Sequence, residues 1–166
     1  MRVLIAFPIF ILLLILQTVV IRQIPLLQGS ADLVMLTIIA WALQRRAETA
    51  WHWGVIGSLL VSLVSAIPIY VNLIGYVFVV GMAIYVRRRF WKISLVIMFI
   101  VTFLATLITQ FLVFIYFQAT GTSLPLIESI NQIIIPSLLL NLLFAVPLYV
   151  WMSDLAGWLY PEPLEA

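Results

Sequence analysis

The 166-residue sequence has no cysteine and only one histidine. These absences exclude disulfide frameworks, cysteine-zinc sites, thiol nucleophiles and histidine-based metal clusters. Charge is scarce as well, because charged side chains make up 8% of the chain, whereas a soluble domain carries about a quarter. Eight basic and six acidic residues cannot cover a folded chain of this length with polar groups. A soluble globular domain, a disordered chain and a nucleic-acid-binding protein are therefore excluded.

Hydrophobic residues dominate instead, at 66% of the chain and a mean hydropathy of +1.26. Since a membrane-spanning helix needs about 20 apolar residues, there is room for about six. We predict an all-α integral membrane protein with one six-helix membrane domain over residues 1–152 and a cytoplasmic tail at 153–166. The predicted helices cover about residues 3–21, 31–43, 54–67, 69–86, 93–117 and 131–152.

Two of these helices follow from a break at Pro68. Residues 54–86 carry no charge, and one helix of that length would measure about 50 Å, well beyond the bilayer core. Pro68, followed by Asn72 and Gly75, predicts a tight hairpin near residues 66–70. The run at 33–43 is too short to cross alone, so it requires a thin bilayer or protein-sheltered chain at membrane depth before it.

The distribution of basic residues favours the same topology. With six spans and both termini in the cytoplasm, a single basic residue, Arg22, lies outside. The inside set is then Arg2, Arg45, Arg46, Arg87, Arg88, Arg89 and Lys92. Cytoplasmic loops are enriched in arginine and lysine, and five spans would place the 87–92 cluster across the membrane from residues 45–46. All six tryptophans are also expected near the inner edge: Trp41, Trp51, Trp53, Trp91, Trp151 and Trp158.

The sequence contains no recognisable catalytic constellation. The lone histidine, His52, lies between two tryptophans at the predicted membrane edge. The acidic residues lie in loops or at helix ends, and no two share a helix face as a carboxylate pair would. We therefore expect a protein that is not an enzyme and uses no cofactor or metal.

Polar residues inside or beside the predicted spans are the candidate site residues. Most fall at outer depth, which indicates either a polar cavity or docking groove open to the outside, or hydrogen bonds that hold the helices together. Asp32 has two further interpretations, as the N-cap of the second helix or as a partner of Arg22. The candidates are Gln17, Asp32, Asn72, Gln110, Asn131 and Asn141.

Two other patterns concern packing and lipid. A stripe of small residues on the third helix, spaced four apart, predicts close helix packing within the protein or against a partner. It consists of Gly54, Ser58, Ser62 and Ala66. The inner basic residues are expected to set the topology and to touch anionic lipid, or else a cytoplasmic partner. They are Arg45, Arg46, Arg87, Arg88, Arg89 and Lys92.

The order of several short motifs resembles the MreD family, the small membrane proteins of the bacterial rod-shape (elongation) system. The motifs are Leu-Gln-Thr at 16–18, Pro-Leu-Leu-Gln-Gly-Ser-Ala-Asp-Leu at 25–33, Ile-Pro-Ile-Tyr-Val-Asn-Leu-Ile-Gly-Tyr at 67–76 before a basic cluster, and Ile-Pro-Ser-Leu-Leu-Leu-Asn-Leu-Leu at 135–143 with Pro-Leu-Tyr at 147–149. Two departures stand out. The family often has an acidic residue on the helix before the hairpin, whereas this helix carries Ser58, Ser62 and Ser65 and no acidic residue. The family also often has a proline directly before the aspartate, where this sequence has Ala31.

The resemblance implies a multi-pass protein of the bacterial inner membrane that supports cell-wall elongation, peptidoglycan synthesis and rod shape. It implies a scaffold that binds MreC directly and joins RodA and a class B penicillin-binding transpeptidase, with MreB filaments beneath the membrane. The family fold is similar to the substrate-binding subunits of energy-coupling-factor transporters. The alternative is therefore a small-molecule-binding subunit of a vitamin-type transporter, which needs a polar pocket near Gln17, Asn72, Gln110 and Asn131.

Overall fold

A computed structural model describes residues 4–19, 29–44, 48–90, 95–122 and 125–160. Within these ranges the secondary structure is helical, without strands. The helices are α1 (Ala6–Val19), α2 (Leu33–Leu43), α3 (Ala50–Val64), α4 (Ile69–Arg89), α5 (Leu95–Ala119), α6 (Leu126–Ser129) and α7 (Ile135–Leu159). A π-helical turn, Ile130–Ile134, joins α6 to α7, so that one continuous helix covers Leu126–Leu159.

The core is built around α2, which is the shortest of the apolar helices at eleven residues. Every one of its side chains is buried, with at most 2% of its surface exposed. A helix that is hydrophobic on all sides must be surrounded, and α2 is indeed packed by α1, α3, α4, α5 and α7. At about 1.5 Å per residue it is only about 16 Å long, about half the thickness of a bilayer core.

Side-chain contacts show that α4 and α7 run in the same direction as α2. Asp32, at the start of α2, contacts Tyr76 in the middle of α4. At the other end, the Arg87 guanidinium donates a 2.8 Å hydrogen bond to the backbone carbonyl of Gln44, just after α2. The chain therefore advances along both helices in parallel. On α7, Asn141 lies beside Asp32 and Tyr160 lies near Trp41.

The helices α1, α3 and α5 run the opposite way. The end of α1 reaches the start of α2, because Gln17 accepts a hydrogen bond from the Leu33 backbone. The start of α3 lies at the end of α2, where the rings of Trp53 and Trp41 stack at 4.4 Å. On α5 the late residue Tyr116 packs its ring 6.3 Å from that of Tyr70, at the start of α4. Directions thus alternate through the helix sequence, with α6, the π turn and α7 as one unit.

The outer surface is apolar over most of the bundle. Large hydrophobic side chains are exposed on α1, α3, α4, α5 and α7, and Leu63 on α3 has 80% of its surface exposed. Three helical segments are long and apolar enough to cross a membrane, namely Ile69–Arg89, Leu95–Ala119 and Leu126–Leu159. Because water is a poor solvent for such a surface, the structure is that expected of a membrane protein. The three remaining apolar helices, α1 to α3, have 11 to 15 residues.

The last helix extends beyond the predicted end of the membrane domain. Residues 153–159, assigned to the tail from their acidic and small residues, continue α7 as far as Leu159. The reason is packing, since Met152 and Ala156 are buried in the core and Tyr160 places its ring 6.3 Å from Trp41. Burial divides the described tryptophans, because Trp41 and Trp53 are fully buried whereas Trp51, Trp151 and Trp158 are exposed. Their expected position near the inner edge of the membrane stays a prediction. Trp91 lies outside the described residues.

The loop that leads into α2 packs tightly against the start of α7 at Gly29. A Cβ built on Gly29 would lie 2.5 Å from Pro136 Cβ and 2.6 Å from the backbone nitrogen of Ser137. These atoms belong to the backbone of α7 and to a rigid proline ring, so no flexible side chain could move away from the added Cβ. The loop before α2 is therefore held against the start of α7 at a distance that only glycine permits.

We predict that Gly29→Ala destabilises the fold by about 1–3 kcal/mol, as overpacking of a tight contact does. Thermal unfolding of the purified protein in mild detergent measures the effect. The matched control is Gly157→Ala, because a Cβ at this exposed position of α7 meets no atom within 4 Å. The control should be neutral or stabilised by up to about 1 kcal/mol, as an alanine replacing glycine in a helix is. Equal melting temperatures for the two variants would contradict the close approach.

Candidate functional site

The start of α2 lies inside the protein, where its backbone N–H groups need partners. Asp32 is the N-cap, and its Oδ1 accepts a 2.9 Å hydrogen bond from the Met35 backbone. The hydroxyl of Tyr76 lies 2.8 Å from Oδ1 and 2.7 Å from Oδ2 of the same carboxyl group. The carboxyl group is therefore held in place from both its own helix and α4, as an N-cap requires.

Two amides and a hydroxyl complete the capping. The backbone N–H of Asp32 donates to Oδ1 of Asn141 at 2.8 Å, and that of Leu33 donates to Oε1 of Gln17 at 3.0 Å. The N–H of Ser30 donates to the hydroxyl of Ser137 at 3.1 Å. We call the five side chains that satisfy this turn the α2 cap: Gln17, Asp32, Tyr76, Ser137 and Asn141.

Above the α2 cap lies a cavity of about 320 Å³. Its wall comes from α1, the end of α3, α4, α5, the π turn and the start of α7. About half of the lining residues are apolar, including Val64, Phe114 and Phe117. The polar ones are Gln17, Thr18, Ser30, Asp32, Ser65, Asn72, Tyr76, Thr109, Gln110, Ser129 and Ser137.

The antiparallel pairing of α4 and α5 orders the cavity wall by depth. Tyr76 and Thr109 lie towards the middle of their helices and form the deep part, together with Asp32. Phe117 lies near the C-terminal end of α5, beside the link that joins α3 to α4. The cavity therefore has a polar floor and an aromatic and aliphatic rim.

The structure brings four of the six candidate polar residues to the cavity, namely Gln17, Asp32, Asn72 and Gln110. Asn141 lies beneath it, with 2% of its surface exposed, and its Nδ2 donates to the Thr106 hydroxyl at 2.9 Å. Asn131 is exposed on the π turn and does not line the cavity. The alternative that paired Asp32 with Arg22 involves a residue outside the described ranges.

The small-residue stripe faces the neighbouring helix α4 over most of its length. A Cβ on Gly54 would lie 2.6 Å from Val80 Cγ2, and Ser58 is fully buried. Ser62 accepts a 3.0 Å hydrogen bond from Nδ2 of Asn72. Ala66 lies beyond the end of α3 and is exposed. The first three positions therefore pack inside this bundle, while Ala66 does not take part.

The described basic cluster lies at the opposite end of the bundle from the cavity, which we call the arginine end. Arg87 reaches the carbonyl of Gln44 just after α2, while Arg88 and Arg89 are exposed in the last turn of α4. The other predicted members of the inner basic set, Arg2, Arg45, Arg46 and Lys92, lie outside the described residues.

Sequence reasoning did not identify Tyr76 or Ser137 as members of the α2 cap. Tyr76 could have been found from its spacing, since it follows Asn72 by one helical turn on the same face. Ser137 carries a weaker signal, as a hydroxyl directly after Pro136 in an apolar segment. Over the residues that the structure describes, no group of three acidic, histidine or cysteine side chains could hold a metal ion.

Comparison of the chain with protein-family models, with curated proteins and with solved structures gave no match.

We predict that Asn141→Leu lowers the free energy of unfolding by about 1–3 kcal/mol, because it leaves the buried N–H of Asp32 without an acceptor. Leucine branches at Cγ as asparagine does but is larger, so the loss combines the missing hydrogen bonds with some overpacking of this buried position. Asn131→Leu provides the control, since Asn131 is exposed and surface substitutions usually change stability by less than about 0.5 kcal/mol. Denaturant or thermal unfolding in detergent compares the two. A loss of similar size at both positions would show that the α2 cap does not stabilise the fold.

Proposed function

We propose that the protein is a non-enzymatic, MreD-like scaffold of the bacterial cell-wall elongation machinery, embedded in the inner membrane and bound to MreC. The observation that carries this proposal is the separation of two ends. A polar cavity occupies one end of the bundle and the described arginine cluster occupies the other. A six-helix body with this polarity is what the motif resemblance implies.

The orientation follows from charge. Arginine-rich loops remain on the cytoplasmic side, so the arginine end faces the cytoplasm and the cavity faces the outside. Because helix directions alternate and α4 runs towards the arginine end, α1 starts in the cytoplasm and α7 ends there. Both termini are then cytoplasmic, and the cavity opens where the outer domain of a single-span partner such as MreC is located.

A scaffold role also agrees with how the polar groups are used. Asp32 is engaged as an N-cap, and Asn141 is engaged by two neighbours. These side chains stabilise the fold rather than being held ready for proton transfer. The outer faces are apolar, so a partner in the membrane would contact them through packing of its own helix. RodA, the transpeptidase and MreB filaments would then be joined through the partner.

A second candidate function is favoured by the cavity itself. Its volume of about 320 Å³ is at the lower end of the range of about 300–1,000 Å³ typical of small-molecule sites. Three of the four residues that a ligand pocket was expected to use, Gln17, Asn72 and Gln110, line it, while Asn131 does not. The alternative is a small-molecule-binding subunit of a vitamin-type transporter.

The orientation predicts which positions react with a membrane-impermeant maleimide. Because the chain lacks cysteine, a single cysteine introduced at position 120 or at position 88 reports the accessibility of that position alone. Thr120→Cys, beyond the outer end of α5, should be labelled in cells whose outer membrane is permeabilised. Arg88→Cys should react only after the inner membrane is opened. Labelling of both positions from the same side would contradict the alternating arrangement.

The partner proposal predicts that full-length MreC co-purifies with the tagged protein in roughly equal amounts from mild detergent. MreC without its membrane helix should be lost, because the described surface of this protein offers mainly apolar contact. Size-exclusion chromatography followed by quantitative staining measures the ratio. Loss of full-length MreC from a monodisperse, folded preparation would count against the scaffold, and a stoichiometric small molecule in its native mass spectrum would favour the transporter subunit.

A further inference from the structure

The cavity contains a polar side chain that has no structural task. Gln110 lies on α5, partly buried, and within the described residues its amide makes no hydrogen bond to the protein. This distinguishes it from Asn72, which donates to Ser62, and from Gln17, which accepts from Leu33. An amide at membrane depth costs stability unless something pairs with it. The presence of an amide at position 110 is therefore best explained by a molecule that enters the cavity and forms hydrogen bonds with it.

Neighbouring groups also have hydrogen-bonding capacity to spare. Gln17 uses its carbonyl oxygen on α2, and no hydrogen bond within the described residues uses its NH₂. Asn72 uses its NH₂ on Ser62, and its carbonyl oxygen has no partner there. Donors and acceptors thus line the cavity from α1, α4 and α5. A molecule that both donates and accepts hydrogen bonds fits this wall.

The charge of the lining argues against an ionic ligand. None of the described residues that line the cavity is lysine or arginine, so a phosphate or carboxylate would enter without a cationic partner. The one carboxyl group, Asp32, already accepts from Tyr76 and from the Met35 backbone. An ammonium group would have to reach the same two oxygens, between which the Tyr76 hydroxyl already lies.

The apolar part of the cavity wall indicates the shape of the hydrocarbon portion that a bound molecule would need. Phe114 and Phe117 lie on the same side, on α5, and Val64 and Ile67 lie across from them at the link between α3 and α4. These residues suit a flat or compact hydrocarbon group.

We propose that this cavity binds a small uncharged molecule with an amide-like hydrogen-bonding group at Gln110 and an apolar body against Phe114 and Phe117. The proposal goes beyond the scaffold function and does not depend on MreC. Co-purification with the partner can fail while the cavity binds, and the reverse can also occur.

Three probes of nearly equal shape test the charge requirement, namely benzamide (neutral), benzoate (anionic) and benzamidine (cationic). A single cysteine at Val113, which lines the cavity, is alkylated with uncharged N-ethylmaleimide in detergent-purified full-length protein. A ligand as small as benzamide binds with a Kd of roughly millimolar. At about 10 mM, benzamide should slow alkylation about threefold or more, whereas benzoate and benzamidine should slow it less than about 1.5-fold.

Two controls separate binding from indirect effects. The cysteine of Thr120→Cys lies just beyond the C-terminal end of α5 and outside the cavity. Its alkylation should therefore be unchanged by all three probes. Adding Gln110→Leu to the Val113→Cys protein should remove the protection by benzamide. This substitution breaks no hydrogen bond within the described residues, so the melting temperature should be retained. Gln132→Leu changes a half-buried glutamine of the π turn that does not line the cavity and whose amide donates to Glu128 instead, so it should leave the protection intact.

Protection by benzamide alone, lost with Gln110→Leu and kept with Gln132→Leu, supports the proposal. Protection that survives Gln110→Leu overturns the assigned residue. Equal or greater protection by benzoate or benzamidine overturns the requirement for an uncharged ligand. Absence of protection by all three probes, in protein whose melting temperature matches that of the Thr120→Cys variant, overturns the site itself.

Discussion

The structure depends on satisfying the first turn of α2, a helix that begins inside the protein rather than at its surface. The first N–H groups of any helix lack partners within the helix, and hydrocarbon offers none. Here Gln17 from α1, Asn141 from α7 and Asp32 itself supply acceptors. These bonds connect three separate parts of the chain at one point, so the short central helix and the packing of its neighbours stabilise each other.

The same constraint produces the cavity. Because α2 is about 16 Å long, it fills only about half of a bilayer core, and its eleven residues lie towards the arginine end. The longer helices α4 and α5 continue past its start. The space above the α2 cap is therefore walled by helices but has no central helix. Its floor is polar because it consists of the capping side chains, and its rim is apolar because it consists of helices that otherwise face lipid.

Local features of the fold could be predicted from the sequence, but contacts between helices could not. Pro68 marks the link between α3 and α4, and Asp32 has the residue type and position of an N-cap, as the structure has it. The partners of the cap were not predictable, because Gln17 and Asn141 are separated from α2 along the chain and nothing local indicates which backbone N–H they meet. The extension of α7 was missed for a similar reason. Residues 153–159 belong to an acidic segment with two prolines and no helical pattern, which resembles a tail, and the burial of Ala156 shows why they stay helical.

Polar residues in an apolar bundle can be sorted by whether their hydrogen bonds are already used. Asn141 uses its carbonyl oxygen and its NH₂ on the protein, so its presence is explained by stability. Asn72 and Gln17 each use one group, which makes them both structural and available to the cavity. Gln110 uses neither group on any described residue. Since a hydrogen bond left unmade at this depth costs more than an apolar substitute would, stability alone gives the weakest reason for a polar side chain at position 110 among the amides that line the cavity. It is therefore the position at which function most directly accounts for the residue.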